Sequence, residues 1–86
     1  MTEAQLKAAM VYALQHLNSK GAANIDENTK HDSVLSDNDG FGASNSKNIY
    51  QSYIQLGLVK QGHPHPTWPS DWMSLTVAEL APKLLA

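Results

Sequence analysis

The stretch Asn45-Ser46-Lys47-Asn48-Ile49-Tyr50-Gln51-Ser52-Tyr53-Ile54-Gln55-Leu56-Gly57-Leu58-Val59 decides how this chain is read. Ile49, Tyr53 and Leu56 recur at helical spacing, with Tyr50 and Ile54 flanking them. The pattern predicts a helix from about Ser46 to Leu56, capped by Ser44, Asn45 or Ser46. Gly57 followed by apolar Leu58 reads as a left-handed stop, which leaves Leu58-Val59 free to begin a short strand. The polar positions of this helix are Asn, Gln, Ser and a single Lys. No acid occurs from Gly40 to Ser70, six of the eight acids precede that stretch, and only Asp71 and Glu79 follow it. Such a face can hydrogen-bond a nucleic acid or a polar partner without repelling phosphate.

Working outward, Thr2-Glu3-Ala4-Gln5 has the form of a capping box. Leu6, Ala9, Met10, Ala13, Leu14 and Leu17 then make one helical stripe, with Gly21 as the expected terminator. Residues 22–43 are polar and irregular; only Ile25, Val34, Leu35 and Phe41 can reach a core, and a short helical turn fits at 31–36. Beyond the central helix, three prolines in Pro64-His65-Pro66-Thr67-Trp68-Pro69 favour an extended path. Thr76-Val77-Ala78-Glu79 is a second capping box, and Pro82 lies deep enough to kink or restart the helix it opens. The expected core is Leu6, Met10, Leu14, Leu17, Ile49, Tyr53, Leu56, Leu80 and Leu84.

Eighty-six residues fit one domain, 1–86, with a small core. The hydrophobic share of 42% is ordinary, whereas 16% charged residues is low against a norm of about 25%. All six basic residues are Lys, and the net charge is −2. Bidentate recognition of phosphate or guanine favours Arg, so the composition supplies no strong nucleic-acid or membrane attraction. The absence of Cys excludes disulfides, thiolate catalysis and Cys-ligated zinc. Met1-Thr2-Glu3 lacks the basic start of a signal peptide, and no apolar run is long enough to span a membrane, so a cytoplasmic location fits.

The motifs that carry chemistry elsewhere are incomplete here. Asp37-Asn38-Asp39-Gly40 suits a turn better than a calcium loop, because the loop's end positions would be Leu35 and Ser46. His63 and His65 flank Pro64 without further ligands at metal spacing. Gly40-Phe41-Gly42-Ala43-Ser44-Asn45 lacks the third glycine of a dinucleotide loop and the Gly-Lys-Ser/Thr step of a phosphate loop. No nucleophile elbow is present. These absences lead to the expectation of a non-enzyme with no metal and no cofactor. Trp68 and Trp72 either form a partner-binding ridge in the Pro-rich segment or close the small core.

Residues 44–86 resemble the second half of a winged helix-turn-helix domain. The resemblance is carried by the Asn45–Leu56 helix, by Leu56-Gly57-Leu58-Val59 leading toward a hairpin, and by Leu75-Thr76 opening the last helix. The first helix fits the same plan; residues 22–43 depart from it, because the family's middle helix is not visible there. The resemblance implies that Ser46, Lys47, Asn48, Gln51 and Gln55 face a DNA groove, where Asn and Gln can pair with adenine. More weakly, the chain looks like an acyl carrier protein, through Ile25-Asp26-Glu27-Asn28-Thr29, the Gly40-Phe41 step and Thr76-Val77-Ala78-Glu79-Leu80. That family attaches phosphopantetheine to a Ser in Asp-Ser-Leu. Here the matching place reads Gly42-Ala43-Ser44-Asn45, and Asp32-Ser33-Val34 falls too early.

The combined expectation is a mainly α domain of three to four helices, with room for a short β-hairpin around residues 57–75. Its function is read as non-enzymatic binding of nucleic acid or a partner protein through residues 44–72, alone or as a homodimer. Lys60, Trp68 and Trp72 join the five helix residues as the expected contacts. The alternatives are a protein-interaction domain using segment 62–72 and a degenerate carrier-like four-helix domain.

Overall fold

The computed structural model describes residues 1–37 and 45–86, and shows a small mainly helical domain. Helix α1 spans Glu3–His16. Its capping box forms as expected: the Thr2 hydroxyl accepts from the Gln5 N–H at 3.1 Å, and the Gln5 side chain accepts from the Thr2 N–H at 2.9 Å. Leu6, Met10, Ala13 and Leu14 are buried on one stripe, while Leu17, beyond the last turn, is partly buried. The helix ends at His16 rather than running on to Gly21, because Asn18 turns inward and clasps both the N–H and the C=O of Ala22. Such local side-chain bonds offer the backbone an alternative to helix.

Helix α2 spans Ser46–Lys60, with Asn45 as its cap accepting from the Asn48 N–H at 2.9 Å. It does not stop at Gly57. The stop comes at Gly62, whose φ of +86° is the left-handed conformation glycine tolerates. There the His63 N–H reaches the Leu58 carbonyl and the Gly62 N–H reaches the Val59 carbonyl, each at 3.0 Å, which is a Schellman closure. Leu58-Val59 is therefore helix, not the start of a strand. Gly57 sits inside the helix, where glycine costs roughly 0.5–1 kcal/mol relative to alanine. A Cβ placed there meets no atom of the chain within 4 Å, so internal packing does not require it.

The buried face of α2 is also not the expected one. Tyr50, Ile54 and Leu58 are 0%, 2% and 0% exposed, whereas Ile49, Tyr53 and Leu56, the expected core stripe, are 42%, 53% and 59% exposed. Two polar interactions explain the winning register. The buried His31 ring donates from Nδ1 to the Leu75 carbonyl at 2.7 Å, which leaves Nε2 to accept from the Tyr50 hydroxyl at 2.8 Å. Trp72, also buried, packs edge-on against His31 and stacks on Tyr50, with centroids 5.4 and 5.8 Å apart. At the start of the helix, the Ser46 hydroxyl accepts from the Ser36 N–H at 2.9 Å and lies 2.9 Å from the Ser19 hydroxyl. A rotation that buried Ile49 would break both sets and leave buried polar groups unpaired, which costs more than exchanging one apolar stripe for another.

His31–Ser33 forms the expected short helical turn, and buried Val34 and Leu35 follow it. Phe41 and the turn cluster lie largely outside the described residues. From Gln61 to Asp71 the chain follows a non-helical strap that forms no strand; among the described residues the only β-type pairing is an isolated bridge between Lys30 and Thr76. The hairpin allowed for residues 57–75 is thus replaced by the end of α2, the strap and a 3-10 turn at Trp72–Ser74. Helix α3, Val77–Leu85, opens on the expected Thr76 capping box and buries Val77, Leu80, Ala81 and Leu84. Pro82 is accommodated within it on the exposed side without ending the helix. The buried stripes of α1, α2 and α3 join the His31 turn and Trp72 in one core.

Candidate protein-interaction face

Of the polar residues expected to contact a ligand, Lys47, Asn48, Gln51 and Gln55 lie along one side of α2, whereas Ser46 is turned into the fold. Ser46 is 6% exposed and its hydroxyl is committed to Ser36 and Ser19, so it joins the fold and not a reading face. Lys47 is half-buried, with its Nζ 5.9 Å from the Trp72 ring, a cation–π contact. Asn48 and Lys60 are exposed, and Gln51 is half-buried. Gln55 is used structurally: its carbonyl oxygen accepts from the Trp68 indole N–H at 3.2 Å, and its amide lies 3.4 Å from His65 Nδ1.

The two tryptophans divide the roles considered for them. Trp72 is 4% exposed and belongs to the core. Trp68 is half-buried and meets Trp72 edge-on at 4.9 Å, sealing the strap onto α2. The His63 ring lies between the carbonyls of Pro64 and Leu85, with Nδ1 and Nε2 2.7 and 3.3 Å from them, which sets the strap against α3. The Pro-rich segment is thus a packed cover with polar pins. Among the described residues no three His, Cys, Asp or Glu side chains converge as a metal-ligand group, and no helix is long and apolar enough to cross a membrane.

What the structure does bring together is apolar. The exposed large hydrophobic residues among those described are Met1, Tyr12, Ile49, Tyr53 and Leu56. All five border the groove between antiparallel α1 and α2. One hollow, about 370 Å³, places Met1 and Ala9 beside Leu56, Gly57 and Lys60. The next, about 330 Å³, places Tyr12 and His16 beside Ile49 and Tyr53, and Tyr53 belongs to both. Neither hollow is lined by an acid, and Lys60 is the single Lys lining them. Isolated surface hydrophobics are normal, but five on one groove make a patch of the kind that marks an interaction site. A larger hollow of about 540 Å³ on the other flank of α1 shares Tyr12 and is lined by Val11 and Ile25, but Lys7, Asp26 and Glu27 border it as well, with Lys7 and Glu27 3.9 Å apart.

The signal for this face was present in the sequence as the second apolar stripe of α2; what concealed it was its assignment to the core. Comparison with known proteins adds no relative: no family model, curated protein or solved structure matches the chain.

Proposed function

We propose that this domain is a non-enzymatic module that binds a protein partner through the outer face of α2 and the adjoining edge of α1. The observation that carries this reading is the convergence of Tyr12, Ile49, Tyr53 and Leu56 on one groove without an acid in it. Exposed Tyr flanked by aliphatic side chains is the composition of interface hot spots. The alternative winged-helix reading presents the same helix to DNA. It gains little support from the residues it would present to the groove, since Ser46 is buried and Lys47 leans on Trp72. Net charge −2 and the lack of Arg weigh the same way.

A photo-crosslinking residue at Tyr53 tests the reading in cells that make the protein, with the exposed Lys83 of α3 as control. Protein adducts are expected at position 53 and not at 83, and Leu56→Lys should remove them at unchanged fold. Equal adducts at both positions would defeat the proposal. Duplex DNA bound at low salt more tightly than ~100 μM, and released by Lys47→Glu, would replace it with the nucleic-acid reading.

A further inference from the structure

We infer that the partner is a second copy of this chain, packed across a two-fold axis that passes beside Tyr53. The inference rests on the protein-binding reading and names the occupant of that face. Three observations point to it.

The first is position. Helix α2 runs Ser46–Lys60, so Tyr53 is its central residue, and Tyr53 is also the residue shared by both hollows of the groove. Two copies of α2 laid antiparallel about that centre bring Tyr53 against Tyr53 and Ile49 of one copy against Gly57 of the other, since each lies four residues from the middle. The second is shape. Gly57 is a mid-helix glycine that nothing inside the chain demands, since a Cβ there meets open space within 4 Å. It borders the groove beside Leu56. A missing side chain on an otherwise apolar face is a seat for a knob from outside, and the two-fold sets Ile49 of the partner copy into it. Isologous interfaces require such self-complementarity: a projection and a recess on one surface at matched distances from the axis.

The third is charge and area. Like-charged residues facing one another across a dimer axis repel, so a self-binding face must be nearly neutral at its centre. Here the α2 residues near the axis are Ile49, Tyr53, Leu56 and Gly57; no acid lines either hollow, His16 of α1 borders the second, and Lys60 stands at the helix end, where antiparallel packing separates it from its own mate. With 41–59% of each exposed, the five large hydrophobic side chains present on the order of 500 Å² of surface. This is more than half of the ~800 Å² per partner of a standard specific interface.

Sedimentation equilibrium of the purified chain from about 1 to 500 μM is the primary measurement. A monomer–dimer equilibrium is expected, weakened at least tenfold by Tyr53→Lys and by Gly57→Leu. The second variant is the sharper one, because it adds apolar surface yet fills the seat; far-ultraviolet circular dichroism establishes that it remains folded. The lack of native Cys provides a register test. Tyr53→Cys is expected to form its own symmetric disulfide readily. Ile49→Cys mixed with Gly57→Cys is expected to give the mixed disulfide at least tenfold faster than either variant links to itself. A chain monomeric throughout the range overturns the inference; adducts of Tyr53 to a different protein would then leave the binding face standing with another occupant. A dimer that Gly57→Leu leaves as strong as wild type, or random disulfide pairing, overturns the two-fold packing.

Discussion

The two apolar stripes of α2 are chemically similar and meet opposite fates. Tyr50, Ile54 and Leu58 are sealed in the core, while Ile49, Tyr53 and Leu56, a tyrosine and two aliphatic residues as well, lie largely in solvent. Hydrophobicity did not choose between them. The choice lies in what surrounds each stripe: a buried imidazole positioned to accept from the Tyr50 hydroxyl, and a hydroxyl pair that fixes where the helix begins. In a domain of this size, a few directional bonds decide which apolar residues a helix hides and which it leaves for a partner.

The largest break in that symmetry comes from truncating one residue on each side. Leu58→Ala is expected to cost ~2–5 kcal/mol by chemical denaturation, since it opens a cavity in the core. Leu56→Ala, measured on dilute monomer, should change stability by less than ~0.5 kcal/mol. Equal losses would erase the distinction between the faces. Next in size, Tyr50→Phe keeps the ring but removes the donor, leaving His31 Nε2 unpaired in the core. It should cost ~1–3 kcal/mol, against almost nothing for Tyr53→Phe.

The same pair gives the inner face a pH dependence. Burial holds the His31 pKa below its ordinary value of 6.5, more than its bond to Leu75 and the nearby Asp32 raise it. The folded state therefore resists a proton that the unfolded chain accepts. His31's contribution is complete above about pH 6.5 and is lost as pH falls from there toward its lowered folded pKa. Carbon-bound proton shifts of the His31 ring should titrate below 6.5 and report a neutral ring carrying its proton on Nδ1; titration at or above 6.5 would contradict the buried pairing. The smallest effect has the opposite sign. Gly57→Ala should stabilise the monomer by ~0.5–1 kcal/mol, because helix propensity improves and the new methyl group meets open space. A loss of stability would mean that Gly57 serves the fold after all.

Much of this architecture is legible in the sequence. Both capping boxes, the α1 stripe, the short turn at His31, the burial of Leu80 and Leu84 and the absence of helix from the Pro-rich segment follow from local chemistry that needs no distant partner. What was not legible depends on distant pairs. Gly57 and Gly62 are both plausible stops, and only the closure by His63 and Gly62 at the end of the helix selects the second. Ending the helix early removes Leu58 from view, and without Leu58 the buried stripe looks shorter than the exposed one. The His31–Tyr50–Leu75 connection joins residues 19 and 44 positions apart, and no periodicity reports it. The candidate face is hidden for the same reason: Ile49, Tyr53 and Leu56 have the spacing of a core, and only the register set elsewhere turns them outward.

The place of α1 in this core bears on the order in which the chain comes into being. Its stripe of Leu6, Met10, Ala13 and Leu14 shares the core with Val77, Leu80 and Leu84 of α3, the last helix in the sequence. During synthesis at ~5–20 residues per second, roughly 3–14 s separate the completion of α1 from that of the helix that covers it. Until α2 arrives, the first helix is held by little beyond its capping box and its own backbone bonds, and a helix of 14 residues is marginal alone in water; with α2 in place its core side still waits for α3. Native structure in a nascent chain should therefore appear late and all at once, when the last helix arrives, and not grow stepwise from the first.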